Sequence, residues 1–353
     1  MKRLLSLIIL LATVTTAIYA NLPEYYKNDE NFINDFVKKT WTTSDGLPGV
    51  TITDLIQDNK GYIWIGTYDG LVRFDGVEFK TFCRSTDERY DFASVRSIIQ
   101  DSDGNLWVGH NDEGVTKITP SGEIKKITTE DGIPNNKVNA LCEDKSNNIW
   151  IGTSSGICCI NSENQIFVPE CDENLPINKI LVQNIYCDND GNIWITTGTA
   201  NNLYVCKNNK VSLFTNLTNI EDPSVYDVLQ DKDGAIWLCG EPHLAIRIRG
   251  DEQTLFDMSP RGFSGLSINS IIQDSSGNYW LGSDTGIMIL HGDSHTYYNI
   301  KNGLPDNGIS RLMQDREGNI WIGLNRGGLQ KLSKGKFQTV KMNISVNSIC
   351  QDN

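Results

Sequence analysis

The chain has 353 residues, with 31 Lys+Arg against 44 Asp+Glu, and a formal charge of −13. That length can bury a sizeable core, either as two domains or as one large repetitive one. The acidic balance argues against a nucleic-acid partner, whose phosphates demand a basic face, and gives no electrostatic pull toward anionic lipid. With 39% hydrophobic residues, 31 glycines and 10 prolines, it is not a disordered or low-complexity chain.

Lys2 and Arg3 precede an apolar run from Leu4 to Ile18 that ends at Ala17-Ile18-Tyr19-Ala20. A basic start, a short apolar stretch and a small final residue describe a secretory signal peptide over residues 1–20, cut after Ala20. Ile18 departs from the pattern, since a smaller residue is commoner three positions before the cut. The run is shorter than the ~20 residues a membrane span needs. Loss of Lys2 and Arg3 takes the charge from −13 to −15. The expected location is the periplasm, with no membrane insertion by the processed chain.

Residues 21–35 read as a linker, and 36–345 as one repetitive domain. Lys39-Thr40-Trp41-Thr42 looks like an outer strand with no repeat in front of it. Its natural use is to close a ring as the strand 37–42, which removes an exposed sheet edge.

The other seven tryptophans are Trp64, Trp107, Trp150, Trp194, Trp237, Trp280 and Trp321, at gaps of 43, 43, 44, 43, 43 and 41. Each sits in one phrase, such as QDNKGYIWIGT at 57–67 or QDREGNIWIGL at 314–324. A β-branched residue stands twelve before each Trp and begins a short strand. Asp-x-x-Gly follows as a tight hairpin, because Asp accepts turn N–H groups and Gly takes positive φ. Ile-Trp-Ile-Gly is then apolar on both faces, as in a covered strand. Third strands such as Leu71–Phe74 and fourth strands such as Phe79–Phe82 or Lys336–Val340 complete each unit. Four antiparallel strands per ~43 residues is the period of a propeller blade. The expected fold is all-β, a seven-bladed β-propeller. Gly46-Leu47-Pro48, Gly132-Ile133-Pro134 and Gly303-Leu304-Pro305 mark inter-blade loops. At the C-terminus, 346–353 repeats a first strand and the start of its turn, so an eighth repeat begins, and the chain is expected to be a fragment of something longer.

The phrase QDxxGxIWIGT, with TxDGLP between copies, resembles the two-component-regulator propeller repeat over roughly residues 37–353. The resemblance implies the sensor region of a bacterial membrane receptor. It implies further domains of the same receptor, receptor homodimers, and a histidine kinase or diguanylate cyclase output beyond this chain. It also implies a glycan fragment as ligand. Departures are Asn147 for the turn Gly, Thr196 and Cys239 for the strand Gly, and Glu143 and Cys187 for Gln.

The nine cysteines are Cys83, Cys142, Cys158, Cys159, Cys171, Cys187, Cys206, Cys239 and Cys350. The number is odd, no CxxC occurs, and five fall in apolar strand patterns. Free thiols are expected, with room for one bridge that the sequence cannot pair. His291 and His295 are four apart on a predicted turn and read as exposed loop residues rather than metal ligands. The Asp-x-Asp-Gly strings read as hairpins rather than calcium loops. No catalytic motif, cofactor site or metal site is expected.

Residues that vary within the constant frame are the candidate ligand contacts. Eleven before each Trp stand Thr53, Arg96, Asn139, Gln183, Tyr226, Asn269 and Ser310, near the top of the channel-lining strand. The second-turn loops add Tyr68, Asp69, His110, Asn111, Asp112, Glu241, His243, Asn325 and Arg326. Amides, hydroxyls, Arg and aromatics suit a small polar or oligosaccharide ligand. The leading expectation is a ligand-sensing propeller with no covalent step. A propeller lyase or glycan-cleaving enzyme, and a protein-interaction scaffold, are the alternatives.

Overall fold

The computed structural model describes residues 18–20 and 27–335, apart from 84–89, 91, 93, 173–174, 176, 178, 199–202, 209, 215–216, 218–222, 242–243 and 257–266. The signal region before residue 18, His243, Cys350, the strand expected at Lys336–Val340 and the partial repeat 346–353 lie outside the described residues.

Seven antiparallel sheets form the seven blades of a propeller. Their first strands are Ile52–Gln57, Val95–Gln100, Val138–Glu143, Asn184–Cys187, Ser224–Gln230, Ile268–Gln273 and Ile309–Gln314. Blade one continues through Ile63–Thr67, Gly70–Phe74 and Phe79–Phe82. The seven first strands contact one another in succession around the ring. Each turn after a first strand lies at one end of the central channel, the turn end, and each first strand begins at the other, the mouth.

Blade seven takes its outer strand from the other end of the chain. Phe36–Trp41 pairs antiparallel with Leu329–Lys334 over six residue pairs, Trp41 opposite Leu329. The Trp41 indole stacks on Trp321, with ring centres 5.6 Å apart and planes within 8°. It also meets Phe74 and Phe79 of blade one edge-on. The same residue therefore seals blade seven and the seam to blade one.

Three blades carry an extra parallel strand on the outer edge, among them blade four with Glu170–Cys171 and blade six with Lys27–Asn28. Ile18–Ala20 lies parallel to Glu252–Phe256 on blade five. Residues 27–35 are not a free linker. Ile33 is fully buried in the core between blades six and seven, and Phe32 stacks on His291 at 4.1 Å. An Ile and two Phe in Asn31–Phe36 supply the apolar surface that holds this segment down.

Each turn is locked from within. The carboxylate of Asp101 accepts Asn105 N–H at 2.7 Å and the indole Nε1–H of Trp107 at 2.7 Å. All seven turn aspartates accept the indole of their own blade, from 2.7 Å at Asp315 to 3.0 Å at Asp274. Asp and Trp thus recur together because each satisfies the other's buried polar group. Where Asn147 replaces the turn glycine it adopts φ +61°, which Asn tolerates better than other side chains.

A ring of bonds joins neighbouring turns. Gln100 of blade two accepts the backbone N–H of Asn59 in blade one, and Gln57 accepts that of Arg316 across the closure. Gln230, Gln273 and Gln314 repeat the contact, and Glu143 makes it to Ser102. Cys187 makes it to Lys145 with a thiol. The strand glycine two after Trp has an equally direct cause. A Cβ at Gly109 would lie 2.7 Å from Val138 of the next blade, and one at Gly152 would lie 2.4 Å from Val182. In the five blades that keep this glycine, the β-branched residue twelve before the next blade's Trp fills the space that it leaves.

The inter-blade loops use a capped turn. Thr42 N–H donates to Asp45, Thr128 N–H to Asp131 and Asn299 N–H to Asn302. Leu47, Ile133 and Leu304 then plug the gap between blades, each 3% exposed.

Candidate functional site

The channel mouth opens into a cavity of 430 Å³, within the range of small-molecule sites. Its shape follows from a repeated irregularity. In six blades the pairing of first and second strands skips one residue, at Thr53, Arg96, Asn139, Tyr226, Asn269 and Ser310. A bulged residue is released from the ladder and re-aimed. Here the bulge turns the variable position toward the channel, and all six line the cavity together with Gln183 of blade four.

Three members of this ring are tied to the next blade. Thr53 donates to the carbonyl of Val95 at 2.7 Å, Asn139 to that of Val182 at 2.8 Å, and Asn269 to that of Ile309 at 3.3 Å. Tyr226 is bonded to Glu241; burial first, and then that carboxylate, push its phenol up to about 12. Arg96 Nη1 donates to Asn111 at 3.3 Å, and Asn111 in turn holds Asp112. Arg96 Nε, Asn139 Oδ1 and Ser310 Oγ are buried and have no hydrogen-bond partner.

Below this ring lies a second belt that the sequence reading passed over. Ten residues before each Trp stand Asp54, Ser97, Ala140, Asn184, Asp227, Ser270 and Arg311. Four of them accept a backbone N–H from the next blade: Asp54 from Ile98 at 2.7 Å, Ser97 from Leu141 at 3.2 Å, Asp227 from Ile271 at 2.9 Å and Ser270 from Leu312 at 3.1 Å. Ala140 and Arg311 cannot accept. The N–H groups they leave, on Ile185 and Leu55, turn to their own neighbours Asn184 and Asp54. Arg311 Nε instead donates to Asp54 at 3.0 Å. Burial raises the pKa of both Asp54 and Asp227, and Arg311 opposes it in each. Asp227 also accepts the amide of Asn184 at 2.7 Å. The signal was a column polar in six of seven copies, set between the variable position and an apolar residue.

The remaining sequence candidates divide. Asn325 lines the cavity, and Tyr68, 48% exposed, lines a recess of 150 Å³ that shares Thr53, Arg96 and Ser310 with it. Asn111, Asp112 and Glu241 sit behind the ring as described. Asp69 and Arg326 are exposed but line neither space; Asp69 lies against Gly49, and Arg326 N–H donates to Asp306. Lys137, Ser154 and Leu181 line the cavity and were not among the candidates.

His110 is not a rim residue. It ends the second strand of blade two, is 0% exposed, bonds Thr116 at 3.0 Å and stacks on Phe92. It occupies the column of Thr67, Thr153 and Ser283, whose hydroxyls donate to the carbonyl three residues on. His291 and His295 are not exposed loop residues either. They lie on adjacent strands of blade six, with His291 opposite Ser294 and His295 opposite Leu290. Strand alternation therefore puts them on opposite faces of the sheet. The turn carboxylates are similarly committed to indole and backbone N–H groups.

All eight described cysteines are free thiols. Burial pushes Cys158 up to about 12 and Cys206 up to about 11, so they are poor nucleophiles.

Six stretches match the two-component regulator propeller, at 46–69, 90–112, 132–155, 174–199, 262–285 and 303–326. They fall on blades one to four, six and seven. A 55-residue stretch is 40% identical to histidine kinase P4 of Formosa agariphila, covering 16% of this chain and 4% of that one. The fold is similar to the extracellular domain of the hybrid two-component system BT3049 from B. thetaiotaomicron, with TM-score 0.71 and 19% identity. That match covers 85% of this chain and 42% of the other, so the chain spans less than half its length. The virginiamycin B lyase from Staphylococcus aureus is also similar, with TM-score 0.66 and 19% identity over 84% of this chain and 98% of that one. At such identities the likeness concerns the fold. Six copies of the repeat, on six of the seven blades, place the chain in the two-component regulator propeller repeat family.

Proposed function

We propose that this chain is the exported, ligand-sensing propeller of a bacterial signalling receptor, and that it recognises a small polar ligand such as a glycan fragment at the channel mouth without a covalent step. One observation carries this reading. The mouth is where the repeat varies, and there Arg96 Nε, Asn139 Oδ1 and Ser310 Oγ are buried without partners, whereas buried polar groups are ordinarily bonded. A ligand with hydroxyls and a polar ring edge would satisfy them. Tyr68 and Leu181, 48% and 47% exposed, add apolar surface at the same rim, on which a sugar face packs. The family suggests the receptor context, with further domains and receptor pairing as parts of the same proposal.

The test is calorimetric titration of the full chain with a panel of glycan fragments, followed by recovery of the ligand. The expected result is one fragment per chain, recovered unchanged, with binding lost in an Arg96→Ala/Asn139→Ala double variant. Cleavage of the fragment would establish the lyase or glycosidase alternative instead. Binding that the double variant retains would move the site away from the mouth.

A further inference from the structure

The cavity is lined by three cations, Arg96, Lys137 and Arg311, but by one carboxylate, Asp54. In a chain of formal charge −13 this is a local inversion of sign. The three cations are not equivalent. Arg311 is paired with Asp54 at 3.0 Å, and Asp227 beside it adds a second carboxylate to the same cation. Arg96 and Lys137 have no carboxylate within ion-pair distance among the described residues. Arg96 is held at one end only, by the neutral amide of Asn111, and its Nε–H is buried without an acceptor. Of the other carboxylates, Asp112 is bonded to Asn111 and Glu241 to Tyr226, and the exposed Asp69 lines neither the cavity nor the recess beside it.

A guanidinium held at Nη1, with its Nε–H facing no acceptor, is set to pair with an anion side-on, and a carboxylate matches that edge with two oxygens. Asn139 Oδ1 and Ser310 Oγ, on the same ring, require a partner that also brings hydroxyl donors. The geometry points to a carboxylate-bearing sugar as the ligand of the mouth, its acid group on Arg96 with Lys137 adding charge, and its hydroxyls on Asn139 and Ser310. This inference rests on the mouth being the binding site and adds the sign of the ligand. Neutral sugars satisfy Asn139 and Ser310 but leave Arg96 open, and simple carboxylates do the reverse.

The experiment titrates the full chain with D-glucuronate, D-glucose and acetate, following heat and the Arg96 Nε–H resonance. Glucuronate is expected to shift that resonance and to bind at least about tenfold more tightly than either other probe, in line with a charge-assisted bond. Arg96→Gln is expected to abolish that preference while leaving the fold unchanged by circular dichroism. Raised ionic strength weakens glucuronate and spares glucose. Glucose binding as tightly as glucuronate, acetate matching it, or an Arg96 resonance that no probe moves overturns the inference. A bulky Ser310→Trp variant separates the two readings. If it blocks a neutral fragment found by screening while glucuronate still fails, the site stands and its proposed charge preference falls.

Discussion

The two ends of the channel are built by the same seven strands and treat their polar groups differently. At the turn end each aspartate is bonded to its own indole, and the residue before it reaches the neighbouring blade, whether Gln, Glu143 or Cys187. At the mouth only Thr53, Asn139 and Asn269 make the equivalent reach, while Arg96 and Ser310 leave polar atoms unused. Constancy at one end fixes blade against blade. That frees the other end to vary without loosening the ring.

Five measurements test this contrast. Trp41→Ala should have the largest effect, about 3–5 kcal/mol in denaturant unfolding, because a buried aromatic at the closing seam leaves a cavity. A loss under about 1 kcal/mol would mean that the closing strand adds little. Asp101→Ala should cost about 3 kcal/mol, since the Trp107 indole and Asn105 lose their acceptor; near-neutrality would show that the turn end is not the rigid one. Arg311→Leu should cost about 2–3 kcal/mol by leaving Asp54 and Asp227 facing each other. That is less than a fully buried pair, because Arg311 keeps 35% of its side chain exposed.

A fourth measurement uses pH. Burial lowers the pKa of His291, with Asp29 opposing. A folded-state pKa below the unfolded one means that protonation opposes folding. The contribution of neutral His291 is present above the ordinary histidine pKa and is lost as pH falls through it toward the folded value. His291→Gln should flatten the stability profile in that acid window, and an unchanged profile would reject the assignment. Last, Ser310→Ala should change stability by no more than about 0.5 kcal/mol, because its hydroxyl makes no bond. A larger loss would put the mouth in the same class as the turn end.

Much of this was legible in the residues. The tryptophan spacing carries the blade count, and a ring member's position follows from its distance to Trp. The channel-facing role of Arg96, Asn139, Gln183, Tyr226 and Asn269 was readable for the same reason. The belt of Asp54, Asp227 and Arg311 was not, because in a regular strand adjacent residues point to opposite faces. The bulge breaks that rule and lets both positions border the channel, and a bulge leaves no composition signal here. His110 misled for the opposite reason. Its chemistry suggested a ligand contact, while its column mates Thr67, Thr153 and Ser283 marked a buried strand end. Lys137 lies one residue before Val138, the β-branched residue twelve before Trp, and so fell outside the compared positions.

The pairing of Thr40 with Gln330, 290 positions apart, has a consequence for biogenesis. A segment made ahead of these seven blades must wait for the seventh before it finds its partner. Until then six sectors can fold, but the circle stays open, with a bare β-edge at the seam. Folding of the ring therefore ends in a single late zippering event, and any chaperone that guards it until then has one unpaired ribbon to shield.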